Sequence, residues 1–215
     1  MRGHADPRAD TVRGPARYAV RVPIAVTIAE LARPSFIDNI DVQLAIYAVA
    51  MGANPDEVPN RRAIMERHAS NPGLRSLAAI EEESGRMVGF AYGFRGLQGQ
   101  WWHDVVWSAI IATSGRAAAA SWLDNALEIA EVHVRPEFQQ RGIGRRMMLE
   151  LTADRTERTA LLSTRDAPTP ARHLYGQLGF TDLLRAFQFP GGGPPYAVMG
   201  APLPLPGSAS DEPDS

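Results

Sequence analysis

The sequence predicts one α/β (α+β) domain in which helices flank a single mixed sheet. Three observations predict this fold class. Helix-spaced and strand-like apolar segments alternate along the chain, as in a sheet covered by helices. Two strand-like segments flank a Glu-Ser-Gly turn and so form an antiparallel hairpin. The chain has 215 residues, 45% of them hydrophobic, which is enough for one sizeable core.

The first half of the chain combines helices with the hairpin. The predicted elements are a strand at 18–22, a helix at 37–51, a helix at 60–68 and hairpin strands at 77–80 and 87–94. Gly52 ends the first helix because glycine readily adopts the left-handed conformation that closes helices. Asn60 suits the N-cap of the second helix, and His68 near its end is expected to carry a charge that faces the helix dipole.

The second half begins with an ambiguous segment at 95–124. Within it, 105–111 fits a helix or a strand, whereas 117–123 favours a helix. The elements that follow are a strand at 128–134, a helix at 142–156, a strand at 160–163, a helix at 169–179, and strands at 180–189 and 196–201. Thr169 is a good N-cap with Pro170 at the first helical position, and Gly179 ends that helix.

The two ends of the chain differ in composition from the rest. Residues 1–16 are polar and rich in Arg, Gly and Pro, and residues 206–215 form an acidic tail. Both segments are predicted to be disordered. A single domain is therefore predicted over residues 17–205.

Composition excludes several classes of function. A net charge of −2 gives no field that recruits nucleic acid or an anionic membrane. The absence of cysteine excludes disulfides, thiolate metal sites and a cysteine nucleophile, and the absence of lysine excludes a lysine base. No His/Asp/Glu spacing suggests a metal. Because no apolar run spans a membrane and the N-terminus lacks a signal-peptide core, a cytoplasmic location is predicted.

A glycine-bearing loop follows the strand at 128–134 and leads into a helix. The first N–H groups of a helix have no intrahelical partners, and its dipole favours an anion there. Gly142 and Gly144 lack side chains, so a phosphate can approach the main chain. Arg141, Arg145 and Arg146 add positive charge. The loop therefore predicts a pyrophosphate site.

The glycine spacing excludes two common phosphate loops. A P-loop needs four residues between its glycines and a Lys-Ser/Thr pair, whereas Gly142 and Gly144 are separated by one residue and followed by arginine. A dinucleotide loop needs a third glycine at the position that Met147 occupies.

Two motifs about thirty residues apart resemble those of the GNAT superfamily of N-acetyltransferases. The first is Gln-x-x-Gly-x-Gly at 139–144, after a Val-x-Val-x-Pro strand end. The second is Ala-x-x-Leu-Tyr-x-x-x-Gly-Phe at 171–180. The resemblance covers about residues 75–200 through these motifs, and residues 17–74 only through the order of helices.

The resemblance implies a mostly antiparallel sheet that splays between its fourth and fifth strands, with acetyl-CoA as co-substrate. The pantetheine arm would pair with the exposed strand edge at Val132, His133 and Val134. The residues that the resemblance assigns to the pyrophosphate loop are Gln139, Gln140, Arg141, Gly142, Ile143, Gly144 and Arg145. Many relatives carry an asparagine where this chain has Pro168, so some cofactor contacts come from Ser163, Thr164 or the backbone, or are absent.

The resemblance also assigns the general acid. It implies that Tyr175 lies beside the thioester sulfur and protonates the departing thiolate. A phenol with a pKa of about 10 can protonate a thiolate whose free pKa is about 8.5.

The base that takes the proton of the acceptor amine is expected on the same strand. Related enzymes often use a glutamate there through water, so Glu131 and Glu128 are both candidates. Strand alternation places Glu131 and His133 on one face and Glu128 on the other, although a bulge would invert that parity. His133 could also act as a base, but its position suggests a backbone role.

The acceptor is expected to be the amine of a small molecule or peptide. The dense cluster Trp101, Trp102, His103 and Asp104 suits a cationic or aromatic acceptor, or else anchors an irregular insertion onto the core. Two rivals stay open: a non-catalytic acyl-CoA-binding module, and a transferase of a different acyl group. A homodimer is also possible.

Overall fold

A computed structural model describes residues 25–207 and confirms the predicted fold class. The strands are β1 (Val26–Leu31), β2 (Arg75–Glu81), β3 (Met87–Gly96), β4 (Ala126–Val134), β5 (Thr159–Arg165), β6 (Thr181–Phe187) and β7 (Tyr196–Pro202). The helices are α1 (Arg33–Asp38), α2 (Ile40–Met51), α3 (Val58–His68), α4 (Trp101–Ser114), α5 (Arg116–Leu123), α6 (Ile143–Thr152) and α7 (Pro170–Gln177). The strand predicted at 18–22, the segment 1–16 and most of the acidic tail lie outside the described residues, so the domain limits 17–205 stay a prediction.

The sheet splays between its fourth and fifth strands, as the resemblance implied. Its order is β1-β2-β3-β4-β5-β7-β6, and β4–β5 is the parallel pair among antiparallel neighbours. This pair forms only at the strand starts, where Glu128 opposite Leu161 is its last match. Beyond that point, the facing edges of β4 and β5 form no further ladder pairs in the described part of the chain. The two strands therefore bound a V-shaped cleft.

A bulge in β4 overturns the expected side-chain parity. Tyr92 pairs with Glu131 but the next residue, Gly93, pairs with Ile129, so Ala130 is an extra residue in β4. The inserted residue resets the alternation of faces. Glu128 consequently lies on the same face as Glu131, which corrects the simple strand expectation and matches the bulge alternative.

Helices cover both faces of the sheet. One face packs on α6 and α7 in a core that includes Leu127, Met147 and Tyr175. The opposite face has two separate covers. Helices α1–α3 pack on the aromatic residues of β3, while α4 and α5 pack on β5, β6 and β7. The gap between these two covers lies over the vertex of the splay.

Three predicted boundaries change. The ambiguous segment 105–111 is part of the long helix α4. Asn60 lies inside α3 and is not an N-cap, because a 3-10 turn capped by Asn54 precedes that helix and α3 already begins at Val58. Helix α6 ends at Thr152 and does not reach 156, since the next residue turns extended and Asp154 has a φ of 53°.

We expect Gly93→Ala to destabilise the fold. A Cβ at Gly93 would lie 2.7 Å from the Glu128 carbonyl oxygen, so the bulge would have to shift. The free energy of unfolding should fall by about 1–3 kcal/mol, as measured by urea denaturation. Gly96→Ala on the same strand is the matched control, because its Cβ has nothing nearer than 3.6 Å. Equal losses in both variants would contradict the role of the bulge.

Candidate active site

The loop between β4 and α6 presents open backbone N–H groups beside the cleft. Gly142 is the N-cap of α6 with a φ of 77°, and no side chain caps this helix. The first-turn N–H groups therefore keep no intrahelical partner. Beyond its chain neighbours, no described heavy atom lies within 4 Å of the point where a Cβ of Gly142 would stand. A pyrophosphate fits this open, electropositive space.

The other loop residues hold this N-terminus in place. The Gln139 side-chain amide donates to the Val134 carbonyl at 2.9 Å, which closes the loop onto the end of β4. Gln140 has a φ of 58°, and Arg141 donates to the Glu137 carbonyl at 3.2 Å. The predicted loop is thus a rigid turn, in which Gln139 acts on the backbone of its own strand.

The two halves of the Gly-x-Gly pattern differ in role. Gly144 faces α7, where a Cβ would lie 3.4 Å from Leu174, an ordinary contact distance, and its φ is not positive. Ile143 is buried in the core, and only its N–H faces the loop. Arg145 is partly buried at the same helix start. Arg146 donates to the Val26 carbonyl at 2.8 Å, and its contribution of positive charge to the anion site stays a prediction.

Each arm of the cleft offers polar groups. On one arm, the edge of β4 that faces β5 leaves the backbone of Val132, His133 and Val134 available for pairing. On the other arm, Ser163 accepts a hydrogen bond from the Trp102 indole at 3.3 Å. Ser163 is therefore tied to α4. Thr164 and the β5 backbone are left as candidates for the cofactor contacts that an asparagine makes in relatives, at the position where this chain has Pro168.

Tyr175 lies on α7, on the face of the sheet that also packs α6. Thr169 caps this helix by accepting from the Arg172 N–H, as predicted. The Tyr175 ring is 5.9 Å from the ring of Phe180 and is buried. Burial, helped by the negative charge of Glu131, raises the pKa of Tyr175 to about 12. The phenol therefore stays protonated at every physiological pH, as a general acid must.

Glu131 is buried on the opposite face and is held by two partners. Arg61 donates to its Oε1 at 2.8 Å, and its Oε2 lies 2.5 Å from His133 Nε2. Burial alone would raise the pKa of Glu131, but the hydrogen bond with His133 and the nearby positive charges hold it below the ordinary value. Arg61 also donates to Tyr47 at 3.3 Å. Glu131 is thus an ionised, fully engaged carboxylate.

Glu128 differs from Glu131 both in its hydrogen bonds and in the direction of its pKa shift. It lies at the vertex of the splay, it is buried, and its Oε2 has no hydrogen-bond partner among the described residues. Burial raises the pKa of Glu128 to about 8. A carboxyl with this pKa is well matched to accept a proton near neutral pH.

His68 does not carry the charge expected from its helix position. Its Nδ1 lies 3.1 Å from the Tyr92 hydroxyl on β3. Burial lowers the pKa of His68 to about 4, although Glu131 opposes the shift. His68 is therefore neutral at pH 7 and belongs to the polar layer beneath the cleft.

The tryptophan cluster begins α4 and divides into an exposed and a buried part. Trp101 is 60% exposed, whereas His103 is buried and stacks on Trp107 with ring centroids 5.9 Å apart. Asp104 accepts from the Gly99 N–H at 3.1 Å and so ties the first turn of the helix to the preceding loop. Trp101 and Asp104 therefore line the outer surface, while His103 faces inward.

Sequence reasoning missed Arg61 and Tyr47. Tyr47 lies on α2 and Arg61 on α3, two of the helices that pack on the aromatic residues of β3. Arg61 precedes its partner Glu131 by 70 positions in the sequence. An arginine on a polar helix has no pattern of its own. Only the packing of α2 and α3 over β4 brings these residues to the cleft.

The geometry defines a class of protein. A sheet splayed at a bulged strand, with an open helix N-terminus beside it, has the architecture of acyl-CoA-dependent transferases. Among the described residues no group of His, Cys, Asp or Glu is placed to hold a metal ion. None of the helices between residues 25 and 207 combines the length and apolar character needed to cross a bilayer.

Comparison with known proteins supports this class. The family described as "Acetyltransferase (GNAT) domain" matches residues 75–182, half of the chain. The chain belongs to the GNAT family of acetyltransferases. A GCN5-like protein acetyltransferase of Mycobacterium tuberculosis is 38% identical over 133 residues, which are 60% of this chain and 64% of that relative. The similarity thus spans less than two thirds of the relative's length.

Solved structures agree with the fold. The Salmonella typhimurium protein yncA, solved with acetyl-CoA, superposes with a TM-score of 0.56 at 19% identity, covering 83% of this chain and 94% of that one. The PaiA N-acetyltransferase of Thermoplasma acidophilum, in complex with coenzyme A, gives 0.52 at 13% identity, with 83% and 99% covered. One neighbour holds acetyl-CoA and the other holds coenzyme A, which agrees with acetyl-CoA as the co-substrate of this family.

Proposed function

We propose that this protein is an acetyl-CoA-dependent N-acetyltransferase that transfers the acetyl group directly to an amine in a ternary complex. One observation carries the proposal. Two buried groups with complementary proton affinities, the Glu128 carboxyl and the Tyr175 phenol, flank the same splay from opposite faces of the sheet. Burial raises the pKa of both groups, so that near neutral pH the carboxyl can take up a proton while the phenol still carries one.

Each residue then has one task. Glu128 accepts the proton that the amine nitrogen loses as the new C–N bond forms. Backbone N–H groups of β4 near Val132 polarise the thioester carbonyl. As the C–S bond breaks, Tyr175 supplies the proton that the departing sulfur takes up. Glu131 stays ionised, and its charge is balanced by the ion pair with Arg61.

The acceptor is proposed to be a small-molecule or peptide amine. The relative from Mycobacterium tuberculosis is a protein acetyltransferase, which supports a peptide amine. Trp101 and Asp104 line the outer surface of α4, and an aromatic face beside a carboxylate favours a cationic group. These residues are therefore proposed to contact the acceptor.

Release of coenzyme A in the presence of amines tests the proposal. Because the chain has no cysteine, a thiol reagent reads the released coenzyme A without background from the protein. The panel should contain polyamines, amino acids, and peptides with a free α-amine or a lysine side chain. We expect thiol release with at least one amine, together with one acetyl group added to that amine by mass spectrometry.

Two other outcomes would decide for the rivals. Calorimetric binding of acetyl-CoA without thiol release in any panel would favour a non-catalytic binding module. Faster turnover of propionyl- or succinyl-CoA would show that the acyl group differs.

We expect Gly142→Ala to weaken acetyl-CoA binding about tenfold. Forcing an alanine into the left-handed conformation costs about 1–2 kcal/mol, and its methyl group would enter the space left for the phosphates. The dissociation constant is measured by calorimetry. Gly85→Ala is the matched control, because Gly85 also has a positive φ of 68° and open space but lies in the β2–β3 turn. Equal weakening in both variants would contradict the assigned phosphate site.

A further inference from the structure

The buried position of Glu128 raises the question of where its proton goes. A base that takes a proton in every turnover must return it to water before the next one. The Glu128 carboxyl is buried, and its Oε2 has no partner among the described residues. A buried polar atom without a partner in a native fold calls for a functional explanation.

The side chain of helix α4 that lies near Glu128 is His103. Gly96 of β3 leaves a gap between them because it has no side chain. The point where its Cβ would stand is 3.7 Å from His103 Cδ2 and 4.0 Å from Glu128 Cβ. His103 and Glu128 therefore border the same gap beside Gly96, and the edge of the imidazole ring that carries Cδ2 is the edge that borders it.

The opposite edge of the same ring points outward. His103 Nδ1 lies 3.1 Å from an Asp104 carboxylate oxygen, and the Asp104 side chain is 48% exposed. This carboxylate is itself held by the Gly99 N–H. A carboxylate at Nδ1 keeps the proton there in the neutral ring and leaves Nε2 free to accept one. Stacking on Trp107 holds the plane of the ring.

The other titratable groups near Glu128 do not offer this path. Burial raises the pKa of Tyr92 well above its ordinary value, so its phenol does not exchange protons readily. Glu131 is engaged by Arg61 and His133. Of the neighbours named here, His103 alone combines an open ring nitrogen with a partner exposed to water.

We propose that His103 and Asp104 relay the proton of Glu128 to solvent. His103 Nε2 accepts it, directly or through one bridging water, while Nδ1 releases its own proton to water beside Asp104. A half-turn of the ring about its Cβ–Cγ bond, which keeps the plane of the ring against Trp107, then restores the starting tautomer. Asp104 stabilises the imidazolium formed in passing. The proposal rests on Glu128 acting as the base, and it gives helix α4 a role in catalysis.

Chemical rescue tests the relay. In weak buffer, we expect His103→Gln to lower kcat about tenfold and to leave the KM for acetyl-CoA within about twofold. Added imidazole, a small proton carrier, should restore much of the loss, whereas wild-type turnover should not respond to it. His173→Gln removes an exposed histidine outside the cleft and should behave as wild type.

Two results would overturn the relay. One is an unchanged kcat in His103→Gln, and the other is a loss of kcat that imidazole does not restore, since a packing role predicts no dependence on the carrier. If His103→Gln does not fold, Asp104→Asn decides, because it keeps an oxygen acceptor for Gly99. Its kcat should fall several-fold and rise with imidazole, and a kcat independent of imidazole would count against the relay. Failure of wild type to release coenzyme A would instead reject the proposed function.

Discussion

Glu128→Gln is expected to lower kcat/KM by about 10²–10⁴ while preserving the fold. The amide has the shape of the carboxyl but cannot accept the proton of the amine. Because burial raises the pKa of Glu128 to about 8, wild-type kcat/KM should increase with pH along a limb with this apparent pKa. The variant should lack that limb. Initial rates of thiol release from pH 6 to 9 measure both effects.

Glu131→Gln separates the two candidate bases. Glu131 is already ionised and is held by Arg61 and His133, so its loss should leave the limb near pH 8 in place. It should instead reduce stability, because Arg61 loses its carboxylate partner. If Glu131→Gln abolished the limb and Glu128→Gln kept it, the assignment of the base would be reversed.

The same substitution of Glu128 should stabilise the fold at high pH. A carboxyl whose folded-state pKa is raised from 4.5 to about 8 favours the folded state while it is protonated. Wild-type stability is therefore lost as pH rises from about 4.5 to about 8. Relative to wild type, Glu128→Gln should gain on the order of 3 kcal/mol between pH 5 and pH 8 in urea denaturation. A pH-independent difference would show that the carboxyl is not buried as described.

Tyr175→Phe is expected to lower kcat about 10²-fold at saturating acetyl-CoA. The change removes one hydroxyl and keeps the ring that packs on Phe180, so the KM for acetyl-CoA should change little. The pKa of Tyr175, raised to about 12 by burial, keeps the acid protonated. Wild-type kcat should accordingly show no loss from this group below about pH 10. Steady-state rates with a reactive amine measure the effect.

A second tyrosine provides the control for this variant. Tyr196→Phe removes a phenol on β7, where the ring contacts Phe189, and should leave kcat unchanged. Full turnover in Tyr175→Phe would remove Tyr175 from the mechanism. A fall in kcat with an equal fall in melting temperature for both variants would point to packing.

Local patterns account for most of the elements. The hairpin at β2 and β3, the cap at Thr169 and the helix end at Gly179 rest on turn and cap chemistry within a few residues, and each is present. The boundaries that were wrong depend on distant contacts or on a single backbone rotation. Asn60 looked like a cap because nothing in sequence showed the earlier turn capped by Asn54.

The proposed site residues also divide into those that local motifs predict and those that depend on distant contacts. The cofactor loop and Tyr175 were predicted because glycine at a helix start and a Leu-Tyr helix are local motifs with fixed spacing. The proposed choice between Glu128 and Glu131 needed the tertiary structure, because it rests on the distant partner Arg61 that engages Glu131 and on the burial of Glu128.

The sequence by itself therefore determined the fold class, the family and the type of cofactor, since these depend on periodicity, glycine positions and short motifs. Only the tertiary structure decided the surroundings of the residues to which we assign the proton transfers. The fold brings Arg61 to Glu131 and buries Glu128, whose Oε2 has no hydrogen-bond partner among the described residues. It also places His103 of α4 near Glu128. Burial and long-range charge set a pKa, and neither can be read from neighbours along the chain.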